Sequence, residues 1–243
     1  MTNSSLDFLD IEISNIFQEN ANVITSQNSN RKIAVFDADG TLWDRDMGEA
    51  FFRWLIAGKK LQNVDYSTDI YADYEQRVEQ NRLLGYQHAI EIMAGIKLDD
   101  LAAWSYQFAA SWPNYRNEVK MVIHWLKEQG FEIWIVTASN EWTIKQAAPF
   151  VGIEPEKVIG IKSEIIEGVI SKDIIKPVTC NAGKVEAIEK IIGQKPVFAF
   201  GDSMGDFEML NFCHQPLVIG EKRHIGSSIL EQASSNKWPV WFF

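Results

Sequence analysis

The sequence between residues 33 and 43 reads Ile33-Ala34-Val35-Phe36-Asp37-Ala38-Asp39-Gly40-Thr41-Leu42-Trp43. Its first four residues are apolar, which is typical of a buried strand, and a glycine follows the two aspartates. Residues two apart share one face of a strand, so Asp37 and Asp39 can converge on one reacting atom. Carboxylates that close repel each other unless a cation or a proton lies between them. The pair is therefore a candidate for Mg²⁺ binding with nucleophilic and acid/base chemistry, and the simpler interpretation is a polar turn after a strand.

Overall composition narrows the class of protein. The chain has 243 residues, of which 46% are hydrophobic, and a formal net charge of -10. A chain of this length and composition folds into one or two globular domains. Its negative charge repels nucleic acid and anionic membrane surfaces, so we expect neither as a partner. Whether the protein is a monomer or a homodimer stays open.

Targeting signals and cysteine usage favour the cytoplasm. The sequence has no run of about 18 apolar residues that would span a membrane. Its first residues lack the basic start and the apolar core of a secretion signal. Cys180 and Cys213 lack the spacing of a metal site or a redox pair, so two free thiols are favoured over a disulfide. We therefore expect a cytoplasmic protein.

Apolar runs that alternate with amphipathic stretches predict the fold. We expect strands over residues 33–37, 131–137, 158–161, 164–170 and 196–200. We expect helices over residues 6–17 with a cap at Ser4 or Ser5, 49–58, within 69–112, 118–129, from 140 onward and 183–192. The repeated βα pattern predicts an α/β fold, a Rossmann-like parallel sheet with helices on both faces. The aromatic segment 238–243 is interpreted as an edge strand or a core plug.

A long helical insert separates the first two expected strands. It is too long for a simple crossover, so it predicts a small helical cap domain inserted after the first core strand. Such a cap would lie over the carboxyl ends of the strands, where open α/β sheets bind ligands. The predicted domains are an N-terminal helix and linker (residues 1–30), an α/β core (31–45 and 114–243) and the cap (46–113).

The second strand ends in a hydroxyl and small residues. Thr137 closes its apolar run, and Ala138 and Ser139 lead into the next helix. Thr137 can donate its hydroxyl to an anion, while the free N–H groups of Ala138 and Ser139 can point at it. A threonine at a strand end is more often structural, so this candidate phosphate site depends on the other motifs.

Two later segments add a cation and two more carboxylates. Lys184 opens a helix, where its ammonium can reach a phosphoryl oxygen or offset the carboxylates, although such lysines are usually solvated. A buried strand then leads into Gly201-Asp202-Ser203-Met204-Gly205-Asp206. Asp202 can complete an oxygen shell for Mg²⁺, and Asp206 can orient it or ligate through water. Either aspartate can instead cap the following helix.

Taken in order, these motifs resemble the haloacid dehalogenase-like (HAD) hydrolase superfamily, in its phosphoserine-phosphatase-like branch with a helical cap. The resemblance covers residues 31–220. It rests on Asp37-Ala38-Asp39-Gly40-Thr41, Thr137, Lys184 and Gly201-Asp202-Ser203-Met204-Gly205-Asp206. It implies a Mg²⁺-dependent phosphatase that acts on a small phosphorylated metabolite.

The resemblance also implies a reaction. Asp37 attacks phosphorus to form an aspartyl-phosphate, while Asp39 protonates the leaving alcohol and then activates water. Dehalogenase members lack the acid/base aspartate. The presence of Asp39 therefore favours hydrolysis of a phosphate ester.

The same resemblance implies the ligands of the metal and of the phosphate. Mg²⁺ is expected on Asp37, on the main-chain carbonyl of Asp39 and on Asp202, with Asp206 beside them. The phosphoryl oxygens are expected on Thr137, Ala138 and Lys184.

Substrate selectivity is expected to come from the cap and from the loop after Asp39. Residues 61–112 carry eight carboxylates and three Lys or Arg residues, which is unfavourable for a polyanion. Asp46, or less favourably Glu49, can match an acidic residue of the phosphoserine enzymes, but Gly205 stands where those enzymes usually have Asn. A cationic head group, as in phosphocholine or phosphoethanolamine, is the alternative. Carboxylates and aromatic ring faces would bind such a head group. The simpler interpretation is that the rings only pack the cap helices against each other. The rings concerned are Trp43, Trp54, Tyr71, Tyr74, Tyr86 and Trp104.

Two other classes of protein stay open. Signalling receiver domains also use an acidic cluster, an aspartyl-phosphate, a Thr and a Lys on a parallel sheet. The alternative to an enzyme is thus a phosphoryl-accepting regulatory domain without turnover. Asp39 and the cap argue against it, because a switch needs a durable acyl-phosphate and open access. A catalytically silent binding protein is disfavoured, since every candidate position keeps its reactive group.

Overall fold

A parallel sheet of six strands forms the centre of this protein, whose computed structural model describes residues 6–24 and 31–243. The strands in chain order are β1 (Lys32–Phe36), β2 (Phe131–Asn140), β3 (Val158–Ile161), β4 (Ser163–Ile166), β5 (Val169–Ile174), β6 (Phe198–Gly201), β7 (Gln215–Gly220) and β8 (Val240–Phe242). The order across the sheet is β3-β2-β1-β6-β7-β8, and every neighbouring pair is parallel. The predicted α/β class is confirmed.

Helices cover both faces of this sheet. In chain order, the α-helices of the described residues are α1 (Ile11–Asn20), α2 (Met47–Ala57), α3 (Ile70–Gln80), α4 (Arg82–Glu91), α5 (Leu98–Ala110), α6 (Asn117–Glu128), α7 (Glu141–Ala147), α8 (Ala182–Ala187), α9 (Phe207–Phe212) and α10 (Ser228–Asn236). Short 3₁₀ turns cover Ala148–Val151, Pro155–Lys157, Met204–Asp206 and Lys222–His224, and a π-helical segment continues α8 at Ile188–Ile192. Along β1 the side chains alternate between two apolar layers. Ala34 and Phe36 pack with α1 and α6, while Ile33 and Val35 pack with α8, α9 and α10.

Helix α1 begins later than its apolar spacing predicts. It starts at Ile11 after Asp10, and the expected Ser4 and Ser5 caps lie outside the described residues. Leu6 and Leu9 are buried from a preceding turn, in which the Leu9 N–H donates to the Leu6 carbonyl at 3.0 Å. A turn followed by a helix produces the same apolar spacing as one longer helix, which explains the difference.

The insert between β1 and α6 contains four helices, α2 to α5, which we call the cap helices. The helical region expected over residues 69–112 contains three of them. Asn81 separates α3 from α4. Its N–H donates to the Arg77 carbonyl at the end of α3, and its side chain accepts from the Leu84 N–H at the start of α4. The exact limits of the predicted domains stay a prediction.

A β-hairpin replaces one expected strand. The prediction of a single strand over residues 164–170 is wrong, because the chain reverses at Glu167 and Gly168, with φ of 51° and 79°. Two residues with positive φ form a tight hairpin turn, here between β4 and β5. The hairpin is bonded to the cap, since the Ile170 N–H donates to the Ile96 carbonyl at 3.0 Å.

The aromatic C-terminal segment forms an edge strand. Strand β8 pairs with β7, and the Trp241 ring is buried against the core. Cys180 and Cys213 are both buried and unpaired, as expected for free thiols. Among the described residues, no helix combines the length and the apolar character that crossing a membrane requires.

Candidate functional site

The carboxyl ends of β1 and β6 bring three predicted aspartates together. The Asp37 N–H donates to the Phe200 carbonyl at 2.8 Å, which ties the end of β1 to β6. Oxygen atoms of Asp37, Asp202 and Asp206 all lie within 4.8 Å of one another. Residues 165 positions apart meet here because the carboxyl ends of parallel strands lie at one edge of a sheet.

Lys184 lies inside this acidic cluster. Its Nζ is 2.5 Å from Asp37 Oδ1 and 2.6 Å from Asp206 Oδ1, and the residue is only 1% exposed. Burial alone lowers the pKa of a lysine, but here the charges of Asp206 and Asp37 outweigh burial and raise the pKa. The side chain is thus a buried ammonium that the fold holds beside Asp37.

Asp206 organises the loop after β6. Its Oδ2 accepts hydrogen bonds from the Asp202 N–H at 3.2 Å and from the Ser203 N–H at 3.1 Å. A Cβ added at Gly201 would lie 2.5 Å from the Asp206 Cβ, so only glycine allows this close approach. Asp206 therefore fixes the backbone that presents Asp202.

The Asp39 carboxylate accepts hydrogen bonds from three sides. Trp43 Nε1 and the Met47 N–H donate to Oδ1 at 2.8 and 2.7 Å, and the Ser139 hydroxyl donates to Oδ2 at 2.5 Å. Met47 is the first residue of cap helix α2, and Ser139 lies at the end of β2. The carboxylate thus has a fixed orientation at the junction of the core and the cap.

The carboxylates have raised pKa values. Burial, reinforced by the charge of Asp206, raises the pKa of Asp37 to about 8 against the opposing effect of Lys184. Burial and the same Asp206 charge raise the pKa of Asp202 well above its usual range. The pKa of Asp39 is raised by burial too, although the bonds from Ser139 and Trp43 oppose the rise. Closely spaced buried carboxylates of this kind favour a cation among them.

The donor set fits a hard divalent cation. Carboxylate oxygens are the ligands that Mg²⁺ prefers, and those of Asp37, Asp202 and Asp206 are close enough to share one ion. A Cβ added at Gly40 would lie 2.1 Å from Asp202 Oδ2, so the Asp202 carboxylate packs directly against the Asp39–Gly40 backbone. The main-chain carbonyl of Asp39 belongs to this same backbone.

The end of β2 differs in one respect from the expected phosphate site. Thr137 is buried at the carboxyl end of the sheet, as expected. The Ser139 N–H is not free, however, because it donates to Thr137 Oγ1 at 3.1 Å. The expectation that this N–H points at an anion is wrong, since the backbone at the end of β2 directs it at the threonine hydroxyl. Thr137 keeps its own hydroxyl proton for donation.

A cavity of about 500 Å³ separates these loops from the cap helices. It contains all of the predicted catalytic, phosphate and metal residues in its lining: Asp37, Asp39, Thr137, Ala138, Lys184, Asp202 and Asp206. Asp46 and Glu49, the expected selectivity residues, also line it, as do Tyr74 and Tyr86. The sequence pattern therefore identified residues that the fold brings into one space.

Four of the six rings considered for a cationic group do not line this cavity. Trp43 is fully buried, so its interpretation as a selectivity residue is wrong and its contact is with Asp39 instead. The Tyr71 hydroxyl donates to Glu49 at 2.6 Å, and Trp54 and Trp104 face the Lys60 ammonium. Tyr71, Trp54 and Trp104 therefore make contacts within the cap, which was the simpler interpretation.

The model of the haloacid dehalogenase-like hydrolase family matches residues 34–211. The chain belongs to this family. The matched segment includes the cap helices and every candidate catalytic residue, from Asp37 to Asp206. No curated protein matches the chain.

Solved structures share the HAD fold at low sequence identity. A protein of unknown function from Bordetella pertussis Tohama I is 20% identical, with a TM-score of 0.73 over 87% of this chain and 98% of its own. A phosphoserine phosphohydrolase-like protein from Francisella tularensis subsp. tularensis SCHU S4 is 18% identical, with a TM-score of 0.57 over 86% and 94%. A phosphoserine phosphatase, as a phospho-aspartyl intermediate analogue, is 15% identical, with a TM-score of 0.56 over 86% and 92%. These likenesses establish the fold.

Sequence reasoning missed two contributors to this HAD-like site. Ser139 lies two residues after the predicted Thr137, but the predicted contribution of Ser139 is its N–H and not the hydroxyl that bonds to Asp39. Arg82, at the start of α4, lines the cavity and had no local pattern that would distinguish it from other cap residues. Both depend on how loops and helices far apart in sequence are packed together.

Proposed function

We propose that this HAD-family hydrolase is a Mg²⁺-dependent phosphomonoesterase that hydrolyses a small phosphorylated metabolite through an aspartyl-phosphate on Asp37. The observation that carries the proposal is the fixed orientation of Asp39. Trp43, Met47 and Ser139 hold its carboxylate at the cavity, beside the loop that carries Asp37. A nucleophile and an acid/base on one short loop are what ester hydrolysis through a covalent intermediate requires.

In the first step, an Asp37 carboxylate oxygen attacks phosphorus as the bond to the leaving alcohol breaks. Asp39, in its protonated form, gives its proton to the leaving oxygen. In the second step, the Asp39 carboxylate takes a proton from water, whose oxygen attacks the aspartyl-phosphate. Phosphate leaves and the Asp37 carboxylate is regenerated.

Thr137, Ala138 and Lys184 would bind the phosphoryl oxygens during both steps. The buried Lys184 ammonium already contacts Asp37, so it lies where charge develops on the transferred group. Mg²⁺ would be held by Asp37, the Asp39 carbonyl and Asp202, with Asp206 beside them. When bound, it would neutralise negative charge between the nucleophile and the phosphate.

For the leaving group, we propose an amine-bearing ester such as phosphocholine or phosphoethanolamine. Asp46 is exposed to the cavity, and its Oδ1 accepts a hydrogen bond from the Glu49 N–H. Glu49 is already bonded to Arg53 and Tyr71, so Asp46 would be the main carboxylate contact for an ammonium. Burial and the charge of Asp39 raise the pKa of Asp46 well above its usual range, and a bound ammonium would oppose this rise. The rings of Tyr74 and Tyr86 line the same cavity and would offer their faces to it.

A panel of phosphomonoesters tests both levels of the proposal. Purified protein is assayed with amine-bearing esters, sugar phosphates and para-nitrophenyl phosphate, with Mg²⁺ and after chelation. We expect Mg²⁺-dependent turnover and a kcat/KM at least about tenfold higher for the amine-bearing esters, the value of one charged contact. Asp46→Asn should remove this preference, whereas Asp99→Asn, at an exposed carboxylate of α5, should keep it.

Different results would contradict different parts of the proposal. Turnover without an amine preference would contradict the substrate class alone. A stable phosphate on Asp37 after incubation with a phosphoryl donor, without multiple turnovers, would favour the regulatory phosphoryl-accepting domain over the enzyme.

A further inference from the structure

A buried arginine, Arg116, contacts the backbone of the loop that carries Asp39. Arg116 is 8% exposed, and its Nη2 donates to the Gly40 carbonyl at 3.2 Å and to the Glu221 carboxylate. Its guanidinium lies over the Phe243 ring, 4.3 Å from the ring centroid. Burial between a carboxylate, a carbonyl and a ring gives this side chain a fixed position, unlike an arginine of a surface ion pair.

Gly40 needs such external contacts. Its φ is +78°, and glycine changes between positive and negative φ at low energetic cost. Gly40 therefore does not restrict the conformation of the loop by itself. Two contacts do so instead: the Gly40 N–H donates to the Arg45 carbonyl at 3.3 Å, and the Gly40 carbonyl accepts from Arg116. Both peptide planes that flank Gly40 are thereby held.

One of these planes contains the main-chain carbonyl of Asp39. In a trans peptide, that carbonyl points opposite to the Gly40 N–H, so the conformation of Gly40 sets its direction. The Asp202 carboxylate packs against the same backbone. A change at Gly40 would therefore rotate the Asp39 carbonyl relative to Asp202.

We propose that Arg116, together with Glu221, is a positioning residue for the cation site, because it fixes Gly40 and thereby the direction of the Asp39 carbonyl. This inference rests on the proposed function, which assigns that carbonyl to Mg²⁺. Glu221 and Phe243 lie outside residues 34–211, the segment that the family model matches. The positioning group is thus assembled partly from residues that lie beyond the segment matched by the family model.

The variants must separate positioning from folding. Removing one member of a buried ion pair leaves an uncompensated charge and can unfold a protein. The main variant is therefore the double substitution Arg116→Met with Glu221→Gln, which removes both charges. Arg116→Lys keeps the charge but not the planar guanidinium. The control is Arg31→Met with Glu132→Gln, because this more exposed pair, with Nε and Oε1 2.6 Å apart, lies at the opposite end of β1 and β2.

Two readouts report on the cation site. The first is the Mg²⁺ concentration needed to raise Tm by a fixed amount of about 2 °C, a readout that scales with the dissociation constant of Mg²⁺ and does not require turnover. The second is the Mg²⁺ concentration for half-maximal hydrolysis of para-nitrophenyl phosphate. We expect both to rise about tenfold or more in the double variant, as for other residues that orient metal ligands. KM at saturating Mg²⁺ should change less than about twofold, since uniform substrate binding is unaffected.

The controls make the outcome decisive. Arg116→Lys should lie between the wild type and the double variant. The Arg31→Met, Glu132→Gln variant should keep the wild-type Mg²⁺ dependence even if its Tm falls. Equal Mg²⁺ dependence in the wild type and the double variant would overturn the inference while leaving the proposed function intact. A wild-type protein without any response to Mg²⁺ would overturn both.

Discussion

The hydroxyl of Ser139 lies 2.5 Å from the carboxylate of Asp39, so the end of β2 holds a side chain from the loop after β1. The start of α2 packs against the same hydroxyl: a Cβ added at Gly48 would lie 2.3 Å from Ser139 Oγ. The proposed acid/base therefore depends on three segments, one of which, the end of β2, lies 100 residues from Asp39 in sequence.

Loss of this contact should slow the chemistry more than it harms the fold. We expect Ser139→Ala to lower kcat about ten- to hundredfold, because an acid/base that is no longer oriented loses much of its contribution. The Tm should change little. Steady-state kinetics with para-nitrophenyl phosphate measure the effect. Ser111→Ala is the control, since Ser111 caps the exposed end of α5 on the Phe108 carbonyl. An unchanged kcat in Ser139→Ala would show that the contact does not orient Asp39.

The indole of Trp43 should matter through its N–H. Trp43→Phe removes a donor that lowers the pKa of Asp39, so that pKa should rise. We expect kcat to fall about tenfold, and the limb of the pH–rate profile that requires the Asp39 carboxylate to move to higher pH. Trp112→Phe is the control, because the buried Trp112 N–H has no partner in the described part of the chain. A pH profile of Trp43→Phe that matches the wild type would contradict this role.

Gly40 should tolerate no side chain. Gly40→Ala places a Cβ 2.1 Å from Asp202 Oδ2, at a φ of +78°. Gly152→Ala is a matched control, since its φ is +80° and a Cβ there meets nothing within 4 Å. Backbone strain should cost about 1 kcal/mol in both variants. Only Gly40→Ala should also lose the Mg²⁺-dependent rise in Tm and the activity. Equal behaviour of the two variants in thermal unfolding with and without Mg²⁺ would contradict the clash.

Asp37→Asn should abolish turnover and change how stability depends on pH. In the metal-free fold, burial and Asp206 raise the pKa of Asp37 from 3.8 to about 8. Because the folded-state pKa is raised, the charged form is disfavoured, and stability is lost as pH rises from about 4 to about 8. The asparagine variant does not titrate, so at pH 8 we expect its Tm without metal to exceed the wild type by roughly 2–4 °C, equivalent to about 1 kcal/mol.

Thermal unfolding in chelator between pH 5 and pH 8 measures this difference. The two Tm values should be closer at pH 5 than at pH 8. Parallel curves would contradict the role of Asp37 as the group that titrates. Retained turnover in Asp37→Asn would exclude it as the nucleophile.

Much of the site was predictable because its chemistry is encoded locally. Asp37 and Asp202 each follow a buried strand, and parallel strands end at one edge of a sheet. Placing both aspartates at the carboxyl ends of strands in one parallel sheet was therefore enough to expect them at the same edge. The expected helix over residues 183–192 likewise placed Lys184 at that edge, where the structure has it contacting Asp37.

The errors have local causes too. A turn and a helix share the same apolar spacing, so the start of α1 was predicted too early. Glu167 and Gly168 reverse the chain within two residues, and the apolar residues on either side looked like one strand. The sequence around Trp43 does not indicate whether its ring faces a ligand or is buried beneath the site.

By itself, the sequence determined the fold class, the family and the identity of the reactive groups, because periodicity and short motifs depend on neighbouring residues. Only the tertiary structure decided which groups orient them: Ser139 and Trp43 on Asp39, and Arg116 on Gly40. These contacts join segments separated by up to about a hundred residues, and hydrogen bonds depend on distances and angles that no local pattern encodes.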